Sequence, residues 1–137
     1  MLRLLRPLIV LPFLLAACGG STLDSASFQK EAESIQSVAA EGALLARDVA
    51  EGRSVSTFAR VHASELGQEA ESLARELDRA DATAEVRTKL PQAVRLSRAV
   101  AAALARLASD PDDHGRARRI AAELEEAADS AAELAGA

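Results

Sequence analysis

The chain is poor in aromatic residues and in cysteine. Among its 137 residues there is no Trp and no Tyr, and the only aromatic residues are Phe13, Phe28 and Phe58. Proteins that bind single-stranded nucleic acid stack its bases on aromatic side chains, so we do not expect that partner. A single cysteine, Cys18, cannot build a disulfide framework or a cysteine-based zinc site. The length suggests one domain.

The chain also lacks an apolar run long enough to cross a bilayer. Leu8–Leu15 is an uninterrupted apolar run of eight residues, whereas a membrane-spanning helix needs about 20. This run follows a basic start with Arg3 and Arg6, and the small residues Ala16 and Ala17 come after it. A basic start, a short apolar core and a small-residue cleavage site are typical of an export signal.

The end of this signal resembles the lipobox of bacterial lipoproteins, in the run Leu15-Ala16-Ala17-Cys18. The resemblance implies that residues 1–17 are cleaved and that Cys18 is lipidated and becomes the mature N-terminus. Several acyl chains on one residue provide stable membrane anchoring. The small residues that follow predict a flexible tether over 18–24. The alternative is an ordinary cleaved signal with an incidental cysteine.

The remaining chain is acidic and rich in alanine. Without residues 1–17 there are 14 basic and 21 acidic residues, a net charge of −7, and 30 of the 120 residues are alanine. The acidity opposes binding to nucleic acid or to anionic lipid headgroups. Alanine, glutamate and arginine are all strong helix formers, so we expect a helical domain.

Four segments of residues 25–137 carry apolar residues at alternating three- and four-residue spacing, which places them on one face of a helix. The second of these stripes runs through Val55, Ala59, His62, Leu66, Ala70, Leu73, Leu77 and Ala80. The pattern predicts an all-α fold, an antiparallel up-down-up-down four-helix bundle. The predicted helices cover about 25–51, 54–80, 82–109 and 113–135.

Glycine, proline and aspartate mark the predicted helix boundaries. Gly52 stands where a left-handed C-terminal cap is expected. The run Asp110–Gly115 indicates a turn followed by a helix start. Pro91 falls inside the third helix and predicts a kink or a restart. If the helix restarts there, the second helix extends to about Thr88 and leaves a short third helix.

His62 is the sharpest candidate for a site. Glu65 and Glu69 follow it on the same predicted helix face, so the three side chains are candidate metal ligands. Carboxylate-bridged bundles, however, take ligands from several helices and use two Glu-x-x-His motifs, which this chain lacks. The alternative, which we prefer, is a histidine that packs its ring against Phe58 and hydrogen-bonds a neighbour. No metal site is therefore predicted.

A second pattern resembles part of a calcium loop. Asp110, Asp112, His114 and Gly115 occupy its positions 1, 3, 5 and 6, but position 12 is Ala121, where the loop requires a bidentate glutamate. An acidic helix start is the better interpretation, because carboxylates favour the positive end of the helix dipole.

No Gly-x-Ser-x-Gly, His-Glu-x-x-His or glycine-rich phosphate loop is present, so we expect neither an enzyme nor a cofactor. The sequence predicts a non-catalytic lipoprotein of the bacterial cell envelope. It would be attached to the extracytoplasmic side of a membrane through Cys18 and would serve as a structural or protein-interaction module with an envelope protein as partner. The alternative is a bundle that binds a small ligand or metal near His62, in a gap left by Gly42, Ser97 and neighbouring alanines.

Overall fold

The computed structural model describes residues 20–137, and the all-α class is confirmed for this part of the chain. Its helices are α1 (Ser25–Ala50), α2 (Ser56–Arg79), α3 (Ala84–Arg87), α4 (Leu90–Ser109) and α5 (His114–Gly136). The described residues contain no β-strand, only an isolated bridge between Leu23 and Ala82. The predicted signal peptide, lipobox and lipidation site at Cys18 lie outside the described residues.

Helix α1 is closed at both ends by the chemistry of its flanking residues. At its start, the Asp24 carboxylate accepts a hydrogen bond from the Ser27 backbone N–H at 2.8 Å. At its end, Gly52 has a left-handed φ of 68°, as the sequence predicts. The Arg53 N–H then donates to the Asp48 carbonyl at 2.8 Å, and the Gly52 N–H donates to the Val49 carbonyl at 3.1 Å. Together these bonds form a Schellman cap.

The predicted third helix, 82–109, is wrong as one continuous helix. The structure divides it into α3 and α4, with Thr88 and Lys89 between them. Pro91 lies in the first turn of α4, where backbone N–H groups have no acceptor within the helix, so the proline costs no helical hydrogen bond. Further inside a helix, the proline ring would clash with the carbonyl four residues earlier. The other three long helices begin and end within two residues of the predicted bounds.

The alternative of a second helix reaching Thr88 is also wrong. Helix α2 ends at Arg79, and Ala80 has an extended backbone with φ −69° and ψ 132°. The segment after it pairs instead with the N-terminal end of the domain. The Leu23 N–H donates to the Asp81 carbonyl at 2.7 Å, and the Thr83 N–H donates to the Leu23 carbonyl at 3.1 Å. Leu23 and Asp24, which were predicted to lie in a flexible tether over 18–24, therefore belong to the helical domain, and that part of the prediction is wrong.

The core of the helical bundle is aliphatic and lies between the four long helices. Helix α1 packs most closely against α5, and α2 packs most closely against α4, with further packing between α4 and α5 and between α1 and α2. The largest side chains that are fully buried include Ile35, Leu104, Leu107, Ile120 and Leu124. Alanines fill much of the rest, which lets the helices approach closely.

Candidate functional site

His62 lies on α2 and contacts both an aromatic ring and a carboxylate. Its ring stacks on Phe58, with centroids 5.4 Å apart and an interplanar angle of 29°. Its Nε2 lies 2.9 Å from Oε1 of Glu41 on α1, and its Nδ1 lies 3.8 Å from Oε2 of Glu65. The predicted packing against Phe58 with a polar neighbour is confirmed. The partner Glu41 was not predicted, because it comes from another helix.

The candidate metal ligands His62, Glu65 and Glu69 are not brought together. Glu69 lies two helical turns beyond His62, about 10 Å along the helix axis, whereas metal–ligand bonds are about 2 Å. Among residues 20–137, no three His, Cys, Asp or Glu side chains converge as metal ligands would. His62 thus contacts a carboxylate from a neighbouring helix and does not belong to a set of metal ligands.

The prediction of a gap around Gly42 and Ser97 is wrong. A Cβ on Gly42 would lie 2.7 Å from Cδ2 of Leu104 and 3.1 Å from Cδ1 of Leu124, so the space beside this glycine is filled. Ser97 is fully buried, and its hydroxyl donates to the Ala70 carbonyl at 2.7 Å. Small residues at these positions allow close contact between helices and leave no room for a ligand.

The residues of the calcium-loop pattern form a helix start, as the preferred interpretation predicts. Asp113 is the N-cap of α5, and its carboxylate accepts from the Arg116 backbone N–H at 2.8 Å. This hydrogen bond is the main reason that the pKa of Asp113 lies below its usual value. Asp112 instead accepts from the Ser56 hydroxyl, and Asp110 lies 3.8 Å from Arg116. Asp110 and Asp113 thus both face Arg116, whereas Asp112 faces Ser56, and the three carboxylates do not converge on one point.

A surface that the sequence analysis missed lies on the hairpin formed by α1 and α2. In the described part of the chain, four large apolar side chains are exposed: Leu44 (59%), Val55 (72%), Phe58 (60%) and Val61 (52%). All four belong to this hairpin, and we call them the hairpin face. Burying one such side chain completely is worth about 1.5–3 kcal/mol, so their common exposure requires an explanation.

Part of the hairpin face could be recognised from the sequence. Leu44, Phe58 and Val61 fall off the apolar stripes of their helices, which is the signal of an apolar side chain turned away from the core. Val55 was placed on the second stripe and expected to be buried, and that prediction is wrong. It precedes the first turn of α2 as an extended N-cap residue, where helical periodicity no longer applies.

A second surface feature is an open groove between α2 and α4 with a volume of about 840 Å³. Its floor consists of small residues, among them Gly67, Ala101 and Ala105. Arg60 and Arg98 stand at its edges, and Arg98 pairs with Asp78 at 3.2 Å. The groove carries cations and short side chains, whereas the hairpin face carries long apolar ones.

No helix within residues 20–137 combines the length and the hydrophobicity that crossing a membrane requires. Comparison of the chain with protein-family models found no match. Comparisons with curated proteins and with solved structures likewise found no significant match.

Proposed function

We propose that this chain is a lipid-anchored, non-catalytic lipoprotein of the bacterial cell envelope, whose helical domain acts as a structural or protein-interaction module. The observation that carries the proposal is the export signal that ends in Leu15-Ala16-Ala17-Cys18. The first fixed residue of the domain follows Cys18 closely in the sequence. Leu23 is paired through its backbone with Asp81 and Thr83. Five residues span at most about 18 Å, so a lipid on Cys18 would hold this end of the domain near the membrane.

We further propose that the four long helices alternate in direction, up-down-up-down. Contacts at both ends of the domain support this arrangement. At one end, the bridge between Leu23 and Ala82 joins the start of α1 to the segment after α2, and Lys89 Nζ donates to the Ala137 carbonyl oxygen at 2.8 Å. At the other end, Ser56 at the start of α2 hydrogen-bonds Asp112 beside the start of α5.

This topology gives the anchored protein two distinct ends. The end near the membrane contains Leu23 and the last turn of α5. The far end contains the turn around Gly52 and the acidic turn around Asp113. A rigid helical spacer of this kind suits a protein that presents a surface at a fixed height above the membrane.

Fatty-acid labelling in a bacterium that processes lipoproteins tests the anchor. The wild-type chain is expected to incorporate labelled palmitate and to sediment with the membranes. Cys18→Ala removes the thiol to which the lipid is attached, so this variant should take up no label. Ser21→Ala, which changes the tether and keeps the thiol, is the matched control and should be labelled normally. Label on the Cys18→Ala chain would refute the proposed anchor.

A further inference from the structure

The hairpin face is unusual within this domain because it exposes an aromatic residue. Residues 20–137 contain two phenylalanines, and Phe28 is buried in the core with 3% of its surface exposed, whereas Phe58 is largely exposed. The Phe58 ring is held in place by stacking on His62, which in turn contacts Glu41 on the neighbouring helix. Aromatic side chains, phenylalanine among them, are enriched at the core of protein–protein interfaces.

The surroundings of the hairpin face are acidic. Glu41 and Glu65 flank His62, and their side chains are 54% and 70% exposed. Arg53, in the turn after α1, forms ion pairs with both Asp48 and Glu51, so two carboxylates share its guanidinium. Over residues 41–65, four acidic side chains (Glu41, Asp48, Glu51 and Glu65) outnumber three basic ones (Arg47, Arg53 and Arg60), and Arg47 is paired with Glu125 of α5. The net charge around the apolar side chains is therefore negative, and a partner of positive charge would complement it.

The hairpin face lies at a distance from the anchored end. Leu44 comes nineteen residues after the start of α1, which corresponds to about 28 Å along the helix axis. Phe58 and Val61 lie in the first two turns of α2, directly after the hairpin turn. If Cys18 holds the Leu23 end at the membrane, the hairpin face is directed away from the lipid and towards other envelope components.

From these observations we infer that the hairpin face is a docking site for a cationic amphipathic helix of a partner protein. Leucine-like side chains of that helix would pack on Phe58, Val61 and Leu44, and its Lys or Arg residues would meet Glu41 and Glu65. Peptide helices commonly bind in this way, through apolar anchors spaced three and four residues apart. The direction of the face relative to the membrane rests on the proposed lipid anchor, whereas the docking chemistry does not.

A second copy of this chain is the less suitable occupant. In a symmetric dimer the same patch meets itself, so two surfaces of net negative charge would be brought together. Like charges brought together at an interface oppose association. Charge complementarity instead favours a basic partner.

The test uses the lipidated protein in phosphatidylcholine nanodiscs and a fluorescent peptide of about 14 residues, about 21 Å long as a helix. The peptide carries leucine on one face and lysine on the other. A matched peptide has glutamate in place of lysine. Binding is followed by fluorescence anisotropy, and the signal of empty nanodiscs is subtracted.

Binding of the lysine peptide is expected to weaken at least about tenfold in Phe58→Ser and in Val61→Ser. Glu65→Gln should weaken it less and should reduce its dependence on salt. Ala102→Ser, in the groove between α2 and α4, and Glu126→Gln, on the outside of α5, are matched controls that should bind as the wild type does. Circular dichroism of Phe58→Ser and Val61→Ser should show unchanged folding, because both side chains are exposed.

Three results would overturn the inference. The first is no binding of the lysine peptide above empty nanodiscs. The second is equal binding to the wild type and to Phe58→Ser, or equal binding of the glutamate peptide. The third is a dimer in analytical ultracentrifugation that Phe58→Ser converts to a monomer, which would assign the face to a second copy.

The test of the lipid anchor and the test of the docking site can fail independently. If the wild-type chain takes up no palmitate, the membrane attachment is refuted. The binding of the lysine peptide is then measured on the unlipidated full chain in solution, so the hairpin face is still tested. Conversely, a labelled protein that does not bind the peptide would retain its anchor and lose the docking site.

Discussion

Gly42 and Leu104 lie so close together that a methyl group on Gly42 would come within 2.7 Å of Leu104 Cδ2. Both residues are buried, and Leu104 is fully enclosed, so its side chain cannot turn into solvent. The contact joins α1 to α4 across the bundle, and Leu124 of α5 lies against the same position. The absence of a side chain at residue 42 is thus a requirement of the packing of three helices.

The first prediction follows from this contact. Gly42→Ala should lower the free energy of unfolding by about 1 kcal/mol, because the overpacking exceeds the gain in helix propensity. The matched control is Gly67→Ala on α2, where a Cβ would meet its nearest neighbours at an ordinary 3.6 Å. That variant should be stabilised by about 0.5–1 kcal/mol. Urea unfolding measures both changes, and destabilisation by both substitutions would contradict the account.

The second prediction concerns the cap of α5. The pKa of Asp113 is lowered mainly by its hydrogen bond from the Arg116 backbone N–H, so the cap stabilises the fold while the carboxylate is charged. That contribution is present at neutral pH and is lost as the pH falls below the ordinary value of 3.8 and through the lowered pKa. Asp113→Ala should therefore lower the melting temperature at pH 7, and the difference from wild type should narrow below pH 3.8.

Asp113→Asn is the control for this effect. Asparagine is an equally good N-cap and does not titrate in this range, so it should retain most of the stability of the wild type at pH 7. If Asp113→Ala melts at the wild-type temperature, the hydrogen bond to Arg116 does not stabilise α5.

The third prediction concerns a carboxylate that opposes folding. Partial burial raises the pKa of Glu31 above its ordinary value of 4.5, and the charge of Glu76 on α2 raises it further. A raised pKa means that the charged form is disfavoured in the folded protein, so stability is lost as the pH rises through the folded pKa. Glu31→Gln should consequently be more stable than the wild type at pH 7 but not below pH 4.5.

Urea unfolding at pH 7 and below pH 4.5 tests whether Glu31→Gln stabilises the protein only at the higher pH. Glu126→Gln, at an exposed position of α5, is the control and should show no such gain. A Glu31→Gln variant that is less stable than the wild type at pH 7 would mean that the charge of Glu31 contributes a favourable interaction.

The fourth prediction addresses His62. Its contacts with Glu41 and Glu65 involve exposed carboxylates, so His62→Ala should cost less than about 1 kcal/mol of stability. Elemental analysis of the wild type and of the variant, each purified without chelator, should give the same metal content. A metal present in stoichiometric amount in the wild type and absent from His62→Ala would revive the metal-binding alternative.

The features that were predicted from the sequence depend on local backbone chemistry. Gly52 ends α1 because glycine adopts the left-handed backbone conformation of a C-terminal cap without a steric penalty. The acidic turn before His114 starts α5 because a carboxylate accepts a hydrogen bond from a free N–H group of the first helical turn. Pro91 was predicted to mark a kink or a restart, and the structure shows a restart, since α4 begins at Leu90.

The features that were missed depend on contacts between helices. Glu41 lies on a polar face in the sequence, and nothing local indicates that its carboxylate meets His62 of the next helix. In the same way, Gly42 and Ser97 suggest a gap when each helix is considered alone, whereas Leu104 and the Ala70 carbonyl fill that space in the folded domain. Val55 is on an apolar stripe in the sequence, and its exposure became visible only in the folded domain.

The central claim is that Cys18 is the lipidated N-terminus of the mature protein. The most direct measurement is the intact mass of the chain extracted from the membranes of a lipoprotein-processing bacterium, followed by fragmentation at its N-terminus. We predict a chain that begins at Cys18 and carries a thioether-linked diacylglyceryl group on its sulfur, which adds the mass of a diacylglycerol less one water. A chain that retains Met1, or that carries an unmodified thiol at Cys18, would contradict the account.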